Sequence, residues 1–168
     1  MTRGDLLEFL QEHRLGVVAT TSPDGDPQSA VVGIAVTDQL EIVFDTLSTT
    51  RKCKNLRRHR KISVVDQEST LQYEGIADEP TGPELERLKK LYFVVYPECM
   101  DHPSWGGITY FRIRPTWIRY SDFNANGNIV EFSKLLRAAA GTYQSFVAQR
   151  RVRSTLVWIR LVRDITEE

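Results

Sequence analysis

The chain has 168 residues, of which 41% are hydrophobic and 26% are charged, and equal numbers of acidic and basic residues leave its formal net charge at zero. A chain of this length and composition can bury the core of one ordinary domain, which excludes an intrinsically disordered protein. Its two cysteines provide no disulfide framework, and the charged N-terminus and the lack of a long apolar stretch indicate no signal peptide and no membrane helix, so we expect a cytoplasmic protein.

The first part of the sequence predicts a short amphipathic helix and then a series of strands joined by tight turns. Apolar residues at helical spacing, Leu6 and Leu10 among them, place a helix over residues 5–13. The turn sequence at residues 22–26 combines Ser, Pro, Asp and Gly and joins two strands into a hairpin. Strands are predicted over residues 17–21, 27–36, 40–46, 61–66 and 71–76, and a second helix over residues 49–58.

The middle of the sequence predicts one long helix and one long strand. Pro83 begins and Pro97 ends a helix over residues 84–96. Its stripe of apolar residues is typical of core packing and consists of Leu85, Leu88, Leu91 and Tyr92. An alternating pattern over residues 108–120 predicts a strand, and Pro115 indicates that the middle of this strand lies at a sheet edge.

The C-terminal part differs in charge from the rest of the chain. Residues 1–132 carry 15 Lys and Arg against 19 Asp and Glu, whereas residues 133–168 carry 7 against 3. The sequence therefore predicts one domain over residues 1–132 and a basic extension over residues 133–168, with a helix over residues 131–149 and a strand over residues 155–162. This charge pattern is typical of a solvated helix face and names no partner by itself.

The order of the predicted elements favours a mainly β fold with flanking helices (α+β). Short strands joined by hairpins are typical of an antiparallel barrel, whereas a parallel doubly wound sheet needs a crossover helix between successive strands. The motifs G-x-G-x-x-G and G-x-x-x-x-G-K-[ST] are absent from the sequence, so neither of the common glycine-rich phosphate signatures applies. We therefore predict an antiparallel barrel.

The helix predicted over residues 49–58 begins with positive charge, where a helix favours negative charge. Thr50 is followed by Arg51 and Lys52, and free backbone N–H groups and the helix dipole make this end electropositive. A bound phosphate would make positive charge favourable at this end of the helix. It would accept hydrogen bonds from backbone, threonine and arginine donors, and the lysine would neutralise its charge. The pattern favours a phosphate site, and a solvated basic helix is the alternative.

Other ligand classes have less support in the sequence. Seven of the eleven residues 51–61 are Lys or Arg, but no Phe, Tyr or Trp lies within residues 46–71 to stack on the bases of a nucleic acid. The three histidines are far apart and, with the two cysteines, match no metal-ligand spacing. We therefore expect no nucleic-acid partner and no metal site, and we interpret Cys53 as a small buried hydrophobe.

Four segments of the sequence, taken in order, are similar to a known family. They are LGVVATTSPDGDPQSAVV, LEIVFDTLSTTRKCKNLRRHRKISVV, LQYEGIADE and ITYFRIRPTWIRY, and their order and spacing agree over residues 5–122. The second segment is the most specific, since a strand ending in F-x-T is followed by R-K-x-x-N-L-x-R-x-x-x-I before the next strand. Together the segments resemble the pyridoxamine 5'-phosphate oxidase-like superfamily of FMN-binding split β-barrels.

The resemblance implies a homodimer with FMN bound in the clefts between its two subunits. It implies that Arg51 and Lys52, helped by Thr46 and Thr50, hold the FMN phosphate. A stretch of backbone would run beside the isoalloxazine and contact its polar edge, and this stretch consists of Ala30, Val31, Val32 and Gly33. Thr70 and Gln72 would reach the flavin, often from the partner subunit.

Two departures distinguish this chain from true pyridoxamine phosphate oxidases. Such enzymes usually have an arginine at the position of Ala30, and they carry an R-x-H substrate motif that residues 123–168 lack. We therefore expect an FMN-dependent oxidoreductase that acts on a different small molecule. The alternatives are a non-catalytic flavin-binding or sensing protein, and a split barrel that uses a deazaflavin or haem. The sequence identifies no general acid or base.

Overall fold

The structure is a computed structural model that describes residues 1–66, 70–101, 107–122, 128–133 and 147–148. The helices are α1 (Arg3–Glu12), α2 (Arg51–Arg58) and α3 (Gly82–Val95), with a 3₁₀-helix over Pro97–Asp101. The strands are β1 (Leu15–Thr21), β2 (Pro27–Gly33), β3 (Ala35–Val36), β4 (Ile42–Leu47), β5 (Lys61–Asp66), β6 (Thr70–Asp78), β7 (Ile108–Asp122), β8 (Asn128–Ser133) and β9 (Val147–Ala148). In this part of the chain no helix has the length and apolar character that a membrane crossing requires.

The nine described strands belong to one antiparallel sheet whose two ends are joined by the chain. Neighbouring strands follow the order β2-β1-β5-β6-β7-β4-β3, while β8 pairs with β7 and β9 with β8. β2 and β3 are the terminal strands of that order, yet only Ile34 separates them in the sequence. The sheet is therefore curved into a barrel, and the predicted antiparallel split β-barrel of the α+β class is confirmed.

Local sequence explains how the N-terminal elements form. Thr2 and Asp5 make a capping box, in which each side chain accepts a hydrogen bond from the other residue's backbone N–H at the start of α1. Leu6 and Leu10 lie one turn apart and are both buried. In β1, side chains alternate between buried and more exposed positions, as expected for a strand with one face on a core.

Two apolar clusters lie on the two faces of the sheet. The larger one includes Leu6, Val18, Phe44, Leu56 and Phe111 and fills the barrel. The smaller one packs α3 against β3, β4 and β7, and its buried members are Ala35, Val43, Leu88, Tyr92 and Tyr110. The predicted stripe on α3 is thereby confirmed as core, since Leu85 and Leu91 also pack against this cluster.

The long strand β7 accommodates a proline because its neighbours change there. On one side β7 pairs with β6, while on the other side β4 pairs with residues 108–113 and β8 with residues 117–122. Among the described strands, Pro115 therefore has a neighbour on one side only, an edge-like position in which proline is tolerated. Thr116 is the extra residue of a β-bulge, because Glu74 pairs with Trp117 and Gly75 with Pro115. The predicted edge is correct for this stretch, although β7 as a whole is internal.

The single strand predicted over residues 27–36 is wrong, because the chain forms two strands there. β2 pairs with β1 up to Gly33, and the Ile34 N–H still donates to the Arg14 backbone oxygen at 2.8 Å. Ala35 and Val36 then pair with β4 at the other end of the sheet. The break is the physical consequence of closing the barrel.

The helix predicted over residues 131–149 is wrong at the positions that the structure describes. Residues 131–133 belong to β8, and residues 147–148 form β9, which pairs with β8. β7 beyond Pro115 offers an unpaired edge, and β8 pairs with it, with the alternating Val130 and Phe132 buried. The remainder of this helix and the strand predicted over residues 155–162 lie outside the described residues.

We predict that Gly75→Ala destabilises the protein. An added Cβ would lie 2.4 Å from Ile113 Cγ2 and 2.6 Å from the Arg114 backbone oxygen, and the latter cannot move without disturbing β7. The free energy of unfolding, measured by urea denaturation, should fall by about 1–3 kcal/mol, the usual cost of overpacking.

The matched control is Gly4→Ala in α1, where the nearest atom to an added Cβ is 3.6 Å away and alanine favours a helix. Equal stability of the Gly75→Ala variant and the wild-type protein would show that the bulge relaxes and needs no glycine.

Candidate functional site

Two threonine hydroxyls hold the turn that leads from β4 into α2. Thr50 is the N-cap of α2: its Oγ1 accepts a hydrogen bond from the Cys53 N–H at 3.4 Å and donates one to the Leu47 backbone oxygen at 2.9 Å. Thr46 Oγ1 lies 3.1 Å from Thr50 Oγ1. Because the single hydroxyl hydrogen of Thr50 goes to Leu47, Thr46 donates within this pair. Both predicted phosphate-binding hydroxyls thus shape the turn that precedes the helix.

The first turn of α2 contains cations that none of the described residues neutralises. Arg51 and Lys52 make no ion pair or side-chain hydrogen bond with any residue that the structure describes, and the turn contains no acidic residue. At the other end of α2, Arg57 donates two hydrogen bonds to Glu79 at 2.7 and 2.9 Å, which lower the pKa of the Glu79 carboxyl. The helix therefore presents uncompensated positive charge at the end where its dipole is also positive.

Arg51 and Lys52 line a cleft of about 320 Å³ between α2 and the β1–β2 hairpin. The described residues that line it are Thr20, Gln28, Ser29, Ala30, Thr50, Arg51 and Lys52. The fold thus brings four predicted site residues together, namely Ala30, Thr50, Arg51 and Lys52. Thr46 is connected to them through its hydrogen bond to Thr50.

The cleft also contains polar residues that were not predicted from the sequence. The side-chain nitrogen of Asn55 on α2 donates to Thr20 Oγ1 at 3.0 Å and to Gln28 Oε1 at 2.8 Å. Thr20 and Asn55 are buried, and Gln28 is half-buried. The only sequence signal was the asparagine of the R-K-x-x-N-L motif, since nothing in the local pattern connects it to the hairpin.

The other residues of the predicted 30–33 segment lie on different faces of β2. Val31 is exposed and Val32 is buried, because successive side chains of a strand point to opposite faces. Gly33 lies against α3: an added Cβ would be 2.9 Å from Tyr96 Cζ and 3.0 Å from Tyr92 Oη. The absence of a side chain at Gly33 thus allows Tyr92 and Tyr96 to pack closely against the end of β2.

The same two tyrosines connect the end of β2 to β4. Tyr92 Oη donates to Asp45 Oδ1 at 2.9 Å. Burial and the nearby Asp45 carboxylate raise the pKa of Tyr92, so it remains a hydrogen-bond donor at neutral pH. Tyr96 Oη accepts from the Ile34 N–H at 3.1 Å and donates to the Arg14 backbone oxygen. These bonds hold the backbone that follows the 30–33 segment.

Thr70 and Gln72 lie on a strand from which no described residue lines the cleft. Both belong to β6, which β1 and β5 separate from β2 in the sheet. Gln72 is exposed and is paired with Val65 and Arg119. The side chain of Thr70 lies outside the described part of the structure.

The described residues contain no group of three or more His, Cys, Asp or Glu side chains that could hold a metal ion. Cys53 is fully buried, and burial raises the pKa of its thiol. The interpretation of Cys53 as a small hydrophobe is confirmed, since a buried neutral thiol is a poor nucleophile.

Residues 3–122 match a family model described as pyridoxamine 5'-phosphate oxidase. Among solved structures, a conserved hypothetical protein from Mycobacterium tuberculosis is 26% identical over 70% of this chain and 82% of its own, with a TM-score of 0.59. A pyridoxamine 5'-phosphate oxidase-related, FMN-binding protein from Nostoc punctiforme is 10% identical over 89% of this chain and 93% of its own, with a TM-score of 0.59. A haem-binding protein from Mycobacterium smegmatis is 15% identical over 77% of this chain and 57% of its own, with a TM-score of 0.64. No curated protein matches the chain.

We predict that Thr50→Val destabilises the turn before α2, whereas Thr50→Ser does not. Valine keeps the shape of threonine but loses the hydrogen bonds to Cys53, Leu47 and Thr46, and loss of an N-cap costs about 1 kcal/mol. Urea denaturation followed by circular dichroism should show this loss for valine alone. If both variants unfold at the same urea concentration, packing and not the cap holds the turn.

Proposed function

The chain belongs to the pyridoxamine 5'-phosphate oxidase family, and we propose that it binds FMN through the phosphate and acts as an FMN-dependent oxidoreductase on a small molecule. The observation that carries this proposal is the pair Arg51 and Lys52, which has no acidic partner among the described residues and lines a cleft opposite β2. A phosphate monoester would supply the missing negative charge.

The chemistry of the cleft fits such an anion. Without one, each cation in the first turn of α2 costs a few tenths of a kcal/mol against the helix dipole. A phosphate would accept hydrogen bonds from the backbone N–H groups of Arg51 and Lys52, which have no acceptor one turn earlier in the helix. Arg51 could add a forked contact and Lys52 a point charge.

We propose that the backbone of residues 30–33 contacts the flavin ring. The small side chain of Ala30 lines the cleft and leaves this backbone accessible from that side, and Tyr96 holds the backbone that follows it through the Ile34 N–H. A bound flavin would supply the redox chemistry, while the protein binds and orients it. The residues of this chain thus act as binding and positioning groups.

We propose that the substrate differs from that of true pyridoxamine phosphate oxidases. Ala30 replaces the arginine usual in those enzymes, so the cleft offers one cation fewer, and the R-x-H motif is missing. Reduction of the bound flavin by a reduced nicotinamide, followed by its reoxidation with an acceptor, distinguishes this proposal from a flavin-binding protein without turnover. A protein that holds flavin but shows neither reaction would be a binding or sensing protein.

We predict that the protein binds FMN with a micromolar or lower Kd and binds riboflavin at least tenfold more weakly, because riboflavin lacks the phosphate. Quenching of flavin fluorescence measures both affinities. Equal affinities would exclude the phosphate site. A haem spectrum without flavin in the purified protein would instead favour the alternative of a haem-binding split barrel.

The same titrations, carried out on variants of α2, test which residues bind the phosphate. Arg51→Ala and Lys52→Ala should each weaken FMN binding about ten- to a hundredfold, since a hydrogen bond to a charged group contributes roughly 1.5–3 kcal/mol, and should leave riboflavin binding unchanged. Arg58→Ala is the matched control, because Arg58 is exposed at the other end of α2. A larger loss for Arg58→Ala would show that the basic run serves a different anion.

We also propose that the protein is a homodimer with FMN at the subunit interface. Val31, Val17, Val65 and Gln72 are in register across β2, β1, β5 and β6, and Val31 and Val65 are 53% and 41% exposed. An apolar row of this kind on a sheet face is typical of an interface. In this proposal the flavin lies between subunits, as the family resemblance implies, and Gln72 would reach the cleft of the other copy.

We predict that Val65→Lys shifts the protein towards monomer and weakens FMN binding together with dimerisation, because a charge is placed in the apolar row. Val94→Lys is the control, since Val94 is exposed on α3. Light scattering on dilution, with and without FMN, measures the dimer. FMN at a hundred times its Kd should stabilise the dimer by about 2.7 kcal/mol for each FMN bound. A monomer that retains its full complement of FMN would contradict the proposal.

A further inference from the structure

A buried polar network below the cleft determines how the side chain of Gln28 is oriented. Asn55 and Thr20 are 4% and 3% exposed. Asn55 Nδ2 donates to Thr20 Oγ1 at 3.0 Å and to Gln28 Oε1 at 2.8 Å. The Thr20 hydroxyl donates to the Gln28 backbone oxygen at 3.4 Å, a long contact. Both amide hydrogens of Asn55 are therefore used within the network.

The direction of these bonds follows from the backbone oxygen at one end. A carbonyl oxygen can only accept, so the hydroxyl hydrogen of Thr20 points towards Gln28 O. Thr20 Oγ1 must then accept from Asn55, which places the amide nitrogen of Asn55 in the network. The second hydrogen of that nitrogen requires an acceptor, so Gln28 presents its Oε1. Turning Asn55 alone would place its Oδ1 against Gln28 Oε1, and turning Gln28 alone would place two N–H donors against each other. Either mismatch is costly beside the buried Asn55.

The consequence is that the side-chain nitrogen of Gln28 is directed away from Asn55. It forms no hydrogen bond with any residue in the described part of the chain. Gln28 lines the same cleft as Arg51 and Lys52, and none of the described residues that line it is acidic. The cleft therefore contains a neutral donor on β2, held in one orientation, opposite the two flexible cations of α2.

We propose that Gln28 is a specificity-determining residue that donates a hydrogen bond from Nε2 to the phosphate of the bound flavin, and that Asn55 is the residue that positions it. This inference rests on the proposed function, because it requires a phosphorylated ligand in the cleft. Arg51 and Lys52 attract any anion. The Gln28 amide, which Asn55 holds in place, adds a hydrogen-bond donor with a defined direction and so favours a phosphate in one position.

The test is a titration of the full-length Gln28→Glu variant with FMN and with riboflavin. Glutamate has the shape of glutamine and still offers an oxygen to Asn55, so the buried network is retained. It replaces the Nε2 donor by a negatively charged oxygen that repels phosphate. The Kd for FMN should rise at least tenfold, while the Kd for riboflavin should change by less than about threefold.

Two further variants keep the result interpretable. Gln39→Glu makes the same change in an exposed turn and should leave both affinities unchanged. Gln28→Ala removes the amide without adding a charge and should reproduce a smaller, FMN-selective loss even if the glutamate variant folds poorly. Melting temperatures confirm that each variant is folded.

The outcomes separate this inference from the proposed function. A wild-type preference for FMN that Gln28→Glu and Gln28→Ala both retain would overturn the role of Gln28 and leave the phosphate site in place. Equal losses for FMN and riboflavin would also overturn it, since the effect would not depend on the phosphate. A wild-type protein that does not distinguish FMN from riboflavin would overturn the proposed function and, with it, the role of Gln28.

Discussion

The packing of α2 against the barrel is the constraint on which the candidate site depends. The helix has eight residues, too few to be stable alone in water. It is ordered because Cys53, Asn55 and Leu56 are buried against the barrel, because Thr50 caps its start, and because Glu79 binds Arg57 near its end. With the helix fixed in this way, its first turn faces the β1–β2 hairpin, and the cleft between them is defined.

A buried arginine elsewhere in the protein is paired with carboxylates, in contrast to the cations at the cleft. Arg112 is buried and bonds to Asp78 at 2.8 Å and to Glu84 at 2.6 Å. Such pairing is required because an unpaired buried charge is very costly. Arg51 and Lys52 have no such partner among the described residues, although they lie at the end of a helix where positive charge is unfavourable. This contrast is the physical basis for proposing that an anion binds in the cleft.

Much of the fold could be predicted because it is encoded by short-range patterns. α1, the β1–β2 hairpin, β5, α3 and β7 follow from apolar periodicity, turn residues and flanking prolines. The wrong predictions concern positions where pairing with a strand distant in the sequence determines the secondary structure. The strand over residues 27–36 breaks at Ile34 because the barrel closes there, and residues 131–133 form a strand because β7 has a free edge beyond Pro115. Periodicity alone cannot show that an edge is available.

Local sequence patterns were sufficient to predict the antiparallel class of the fold and the position of Arg51 and Lys52 at the start of a helix, because both depend on neighbouring residues. Which cations are neutralised depends on the folded arrangement of the chain, since the Arg57–Glu79 pair joins residues 22 positions apart. The folded arrangement also decides the orientation of Gln28, which depends on contacts of Asn55 with residues 27 and 35 positions away. A hydrogen-bond network between three elements exists only once the barrel has placed them side by side, and for this reason its donors and acceptors could not be assigned from the sequence.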